Sequence, residues 1–139
     1  NLVKINKIVT MGVNLRFDNT AVNGWAINQV RKMQAEALKM IEDGDTTKDW
    51  NKELQLDQLL INHHGISHSD LEKITASVLI TIGDRDIIKN EHAVEIFNHI
   101  PKAQLCIMPG GNHGAPRNNP KGFNEIANNF LTSTFDYSN

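Results

Sequence analysis

The sequence predicts a three-layer α/β domain: three parallel strands in one sheet, with helices on both faces. Three observations carry this expectation. Short apolar runs at Ile8–Met11, Ala76–Ile82 and Ala103–Met108 are separated by stretches with helical spacing, and strands alternating with helices imply a parallel sheet with right-handed crossovers. The middle run, A-S-V-L-I-T-I, is apolar at nearly every position, as suits a strand covered on both faces. The second and third runs each lead into a glycine-containing turn, one with an acid and one with a histidine. Ligands collect at such turns, at the carboxyl ends of the strands in open sheets.

Taken in order, Ile8–Met11 is a β-branched run stopped by Gly12 and predicts a buried strand. A polar connection, Asn14 to Thr20, follows. From about Trp25 to Glu42, the residues Ile27, Val30, Met33, Ala37, Leu38 and Ile41 recur at helical spacing, with Arg31, Lys32, Glu36 and Lys39 as the wet face. Gly44 suits a left-handed helix stop. Thr46 or Thr47 can cap the next helix, with Asp49 in its first turn. That helix spans Trp50 to Ile61 and is amphipathic through Leu54, Leu56, Leu59 and Leu60.

Asn62 to His68 reads as a loop, after which Ser69 caps a short helix with Glu72 completing a capping box. Ala76–Ile82 is the second strand. Asn90 is placed as the cap of a helix over Glu91–Ile100 that Pro101 stops. Ala103–Met108 is the third strand. Asn119 and Pro120 open the last helix, whose core stripe is Phe123, Ile126, Ala127, Phe130 and Leu131. The tail from Thr132 is polar.

The chain has 139 residues, which suits a single α/β domain over 1–139. With 40% hydrophobic and 22% charged residues it is neither disordered nor fibrous. A net charge of −2 gives no basic excess for nucleic acid and no charge block for a membrane surface. No apolar run is long enough to span a bilayer, and no signal peptide is visible. The single Cys106 excludes an internal disulfide and reads as an apolar filler in a strand; a cytoplasmic location is the expectation. The chain opens at Asn1 on L-V-K-I-N-K-I-V-T-M-G, a mid-architecture composition, so the front of a longer protein is expected upstream.

Two clusters carry the chemistry. In Gly83-Asp84-Arg85-Asp86, Asp86 is the stronger candidate, because three residues past the strand end place it out in the loop. Asp84 is assigned to the turn or to pairing with Arg85. In Gly110-Gly111-Asn112-His113-Gly114, flanking glycines allow a tight turn and leave the imidazole unobstructed. An imidazole can take and return a proton near neutrality. One strand-helix-strand unit separates acid and base, so the fold itself should bring Asp86 and His113 together as an orienter and a general base.

The run V-L-I-T-I-G-D-R-D-I-I-K through I-P-K-A-Q-L-C-I-M-P-G-G-N-H-G resembles the C-terminal part of the α/β-hydrolase family. The triad of that family runs Ser, then Asp or Glu, then His. Asp86 and His113 match its second and third members, because strand-G-x-x-D selects Asp86 over Asp84. K-I-V-T-M-G resembles the strand after the nucleophile-bearing unit. Residues of about 25–74 resemble the variable helical cap insertion, which folds over the carboxyl edge as a lid. The three strands then correspond to the last three of the hydrolase sheet. The resemblance implies a hydrolase of ester or related acyl bonds with a small-molecule substrate and no cofactor. The nucleotide motifs G-x-G-x-x-G and P-loop are absent.

The departure is the nucleophile elbow G-x-S-x-G, which is absent. Ser67, Ser69, Ser77, Ser133 and Ser138 stand in no glycine-flanked strand-to-helix turn, and the oxyanion loop is missing too. The chain alone is therefore expected to be inactive. Alternatives on the same scaffold are a dehalogenase, epoxide hydrolase, C–C hydrolase or acyltransferase, or a non-catalytic α/β interaction module. A homodimer through the exposed edge of the first strand, or through the cap helices, is also expected.

Other signals read as structural. His63, His64 and His68 lack a partner at metal-ligand spacing and read as polar loop. Asp43 to Asp49 reads as a turn rather than a calcium loop, with Lys48 where glycine is needed and Leu54 where the bidentate Glu is needed. Trp25, Trp50, Phe17 and Met33 read as core anchors.

Overall fold

The computed structural model describes residues 4–62 and 65–137. His63, His64 and Ser138 lie outside the described residues. The elements are β1 (Lys7–Met11), α1 (Gly24–Glu42), α2 (Trp50–Asn62), α3 (His68–Leu71), β2 (Ser77–Gly83), α4 (Asn90–His99), β3 (Ala103–Met108), α5 (Ala115–Asn118) and α6 (Pro120–Thr132). The strands form one parallel sheet in the order β1-β2-β3. Thr10 lies opposite Ile80, and Ile80 opposite Leu105. All three strands thus end at one edge.

Strand β2 is central, and Val78, Leu79, Ile80, Thr81 and Ile82 are all buried. Successive residues point to opposite faces, so both faces are covered. Val78, Ile80 and Ile82 belong to a cluster with Ala93 and Ile96 of α4, with Ile100 just after it, and with Leu15, Ala21 and Val22 from the β1–α1 connection. Leu79, Met108 and Phe130 are buried outside that cluster, on the other face. Lys7 of β1 ties α6 to that side. Its Nζ donates to the carbonyls of Phe130 (2.7 Å), Leu131 (2.9 Å) and Ser133 (2.6 Å) and lies over the Phe130 ring. A cation on the last carbonyls of a helix satisfies acceptors that have no intrahelical donor.

Several local expectations change in the structure. The cap of α3 is Ser67, not Ser69: its Oγ accepts from the Asp70 backbone N–H and its hydroxyl donates to Asp70 Oδ2, so Asp70 rather than Glu72 is the acid at the cap. His68 is the first residue of that helix rather than loop. Helix α4 starts one residue early, at Asn90, with Lys89 as a cap without a side-chain bond. Asp49 Oδ1 takes the Lys52 N–H at the start of α2, the role given to a threonine. Asp45 gathers Thr47 and the Trp50 indole instead. Helix α5 is additional.

The larger difference concerns α1 and α2, which pack mainly against each other. No residue of α2 is buried, and Trp25 (63%), Met33 (42%) and Leu59 (69%) are well exposed. Trp25 and Met33 are not core anchors. Their spacing satisfies helix geometry, but the described residues supply nothing to bury that face against.

Replacing Lys7 with Met keeps the apolar stem and leaves three carbonyls without their charged donor. Urea unfolding should show a loss of about 1.5–3 kcal/mol at unchanged m-value. An unchanged midpoint would show that the contact contributes nothing.

Candidate active site

The site begins where β2 and β3 leave the sheet. The two exit turns are laced together by backbone bonds. Asp84 N–H donates to the Met108 carbonyl (3.1 Å), and Arg85 N–H donates to that of Gly111 (2.9 Å). A Cβ on Gly83 would lie 2.1 Å from the Gly111 oxygen, so this approach requires glycine. Gly110 holds the β3 exit with φ +66, a conformation that side chains resist.

This lacing sets Asp86 and His113 side by side. His113 Nδ1 is 2.8 Å from Asp86 Oδ1, between groups 27 residues apart in the chain. The same Oδ1 accepts the Ile88 N–H at 3.1 Å, and the Asp86 carbonyl accepts from Asn23 Nδ2 at 3.0 Å. Asp86 is buried at 4% exposure, whereas the His113 side chain is 48% exposed. A carboxylate accepting at Nδ1 places the proton there and presents Nε2, which has no partner among the described residues, as the basic nitrogen. Asp84 is exposed and takes part through its backbone.

A third strand end completes the seat. Gly12 follows β1 with φ +57, fastened by its N–H to the Thr81 carbonyl at 2.9 Å. A Cβ there would lie 2.7 Å from His113 Nδ1 and 3.3 Å from Asp86 Oδ2. From sequence alone Gly12 reads only as a strand stop. The available signal was a glycine at the carboxyl end of all three strands, a pattern that marks close backbone approach. The N-terminus of α1 is anchored at the same rim, where Val22 bridges Ile88 and Asn23 N–H donates to the Ile87 carbonyl.

The remaining candidates lie elsewhere. Cys106 sits inside β3, and burial pushes its thiol up. Ser67 caps α3, Ser69 lies in that helix, Ser77 opens β2 and Ser133 follows α6. None of these bonds to His113. His68 contacts Glu95 at 2.7 Å. Among the described residues no group of three or more His, Cys, Asp or Glu could hold a metal ion. Among the described residues no helix is long and apolar enough to cross a membrane. An open cleft of about 470 Å³ beside Asp86 has Thr20, Asn23, Lys89 and Glu91 in its wall.

No family model matches the sequence, and no curated protein matches it. Solved structures do. An α/β-hydrolase enzyme from a Medee basin deep-sea metagenome library aligns over 97% of this chain and 59% of its own, with TM-score 0.76 at 15% identity. The meta-cleavage product hydrolase of Pseudomonas fluorescens IP01 aligns over 91% and 55%, with TM-score 0.64 at 15% identity. A serine hydrolase from Cycloclasticus zankles aligns over 94% and 56%, with TM-score 0.61 at 20% identity. The fold is that of the α/β hydrolases, consistent with a C-terminal portion of it. The chain spans little more than half the length of these structures.

Replacing Gly12 with Ala inserts a methyl into the imidazole. In ¹⁵N-histidine NMR spectra the wild type should show an Nδ1–H signal for His113, bonded to Asp86, and the variant should show it broadened or lost. An unchanged signal would mean that Gly12 does not seat the ring.

Proposed function

We propose that this chain carries the acid and the base of a hydrolase whose nucleophile lies on polypeptide outside it, and that the whole protein cleaves an ester or related acyl bond. The observation behind this is the 2.8 Å contact of His113 with buried Asp86, with the opposite edge of the ring open. Nε2 of His113 would take the hydroxyl proton of the nucleophile as general base and return it to the leaving group as general acid. Asp86 would hold the imidazole tautomer and stabilise its cation without accepting the proton. The oxyanion donors, like the nucleophile, are assigned to the outside polypeptide. The hydrolases among the solved neighbours support the reaction class and leave the substrate to the rest of the site.

The geometry offers a place for that polypeptide. Strand β1 pairs with β2 on one side, and its other edge has no partner strand among the described residues. Residues 25–74 would act as a cap rooted beside Asp86 through Asn23. Unpaired edges template pairing with another chain, so the isolated chain should form a dimer through β1 or through the exposed faces of α1 and α2. Light scattering that gives a monodisperse monomer would count against this.

The catalytic reading is tested with the purified 139-residue chain and with the intact reading frame. The chain alone should turn over p-nitrophenyl acetate no faster than free imidazole. The intact frame should contain G-x-S-x-G about one strand-helix unit upstream and should hydrolyse esters, and His113→Ala should lower its kcat by about 10³-fold or more. Ester turnover by the chain alone, or an unaffected His113→Ala enzyme, contradicts the proposal.

A further inference from the structure

A second polar cluster, unrelated to the acid–base pair by contact, lies on α4. Glu95 is its centre. Its two oxygens take a bidentate pair from Arg16 at 2.8 Å each, together with His68 Nε2 at 2.7 Å and His92 Nδ1 at 2.8 Å. His92 is 1% exposed and uses both nitrogens, because the Leu15 backbone N–H donates to its Nε2 at 3.0 Å. An imidazole can accept at Nε2 only when neutral, so the proton sits on Nδ1 and points at Glu95. Leu15 is thereby stapled to α4. Its carbonyl in turn accepts from the Ile66 N–H.

Leu15 stands three residues after Gly12, the residue packed against the His113 ring. We propose that His92 and Glu95 are positioning residues: they clamp the β1–α1 connection, and so Gly12 under His113, and a proton taken up by His92 releases that clamp. The consequence for catalysis rests on the reading of Asp86 and His113 as acid and base; the clamp itself does not.

The electrostatics favour a neutral His92 at physiological pH. Burial pushes its imidazole down from the ordinary 6.5, and the Arg16 cation adds to this. Glu95 and Asp18 act in the opposite direction. The Arg16 guanidinium holds the Glu95 carboxyl well below the usual carboxylate range, so Glu95 stays ionised while His92 titrates. His68 of α3 reaches the same carboxylate, and His99 of α4 stacks on His68 with ring centres 3.8 Å apart. Because the folded state keeps His92 neutral, the unfolded chain binds its proton first as pH falls. The clamp therefore weakens below about 6.5, down to the depressed value in the folded state. Protonation also removes the His92 acceptor of the Leu15 N–H, and an orphaned buried donor is costly.

The test is a pH titration of the ¹⁵N-labelled chain by NMR, which needs no catalytic activity. At pH 7.5 His92 should show the Nδ1–H tautomer with an unprotonated Nε2. On acidification the His92 ring and the Leu15 amide should shift together, with one midpoint below 6.5, and the Gly12 amide should move with them. In His92→Gln, which offers a carbonyl acceptor and does not titrate, the Leu15 shift should disappear. An Nε2–H tautomer, a Leu15 amide that ignores His92, or a shared midpoint at or above 6.5 would overturn the proposal. Since the wild-type titration decides the matter alone, a variant that fails to fold does not rescue it. A clamp that behaves as expected in a chain whose intact frame hydrolyses nothing would leave the clamp standing and remove only its catalytic meaning.

Discussion

Two backbone turns touch where no side chain can fit, and the rest of the site follows from that contact. With the Gly111 oxygen 2.1 Å from where a Gly83 Cβ would be, the exits of β2 and β3 are forced into register. The Arg85–Gly111 and Asp84–Met108 bonds then fasten them. A carboxylate at the end of one turn and an imidazole at the end of the other have little choice but to meet. The parallel sheet supplies the large-scale alignment and the glycines supply the last few ångströms. Catalytic constellations depend on that final precision.

Much of this was legible because the signals are local. The nearly continuous apolar run of β2 suits a strand covered on both sides, and five consecutive buried residues meet that demand. Asp86 was separable from Asp84 by counting residues past the strand, and His113 by the glycines around it. Asn119 capping α6 ahead of Pro120 is likewise written in four consecutive residues. What escaped is what one stretch cannot announce. Gly12 looks like any strand stop until the ring that occupies its missing side chain is placed against it. Ser67 and Ser69 offer the same capping chemistry two positions apart, and only the observed bond to Asp70 separates them.

Helices α1 and α2 show the same limit from the other direction. Leu56 and Leu59 have faultless helical spacing and remain more than half exposed. Periodicity reports that a helix has an apolar side, not that the same chain covers it. The chain spans 55–59% of the length of its structural neighbours, and the outer edge of β1 has no partner strand among the described residues. The network around Glu95 was equally hidden, since Arg16, His68 and His92 come from three segments that share no sequence pattern. Folding puts a charge hub beside the loop that ends at the imidazole.

The claim beneath all of this is that Asp86 and His113 are energetically coupled, not merely drawn near one another. A double-mutant cycle with Asp86→Asn, His113→Gln and the pair, read by urea unfolding at pH 7.5, measures that coupling without any substrate. The account predicts an interaction of about 1 kcal/mol or more. Additivity within about 0.5 kcal/mol, with all three variants folded, would show that the two groups do not act as a pair.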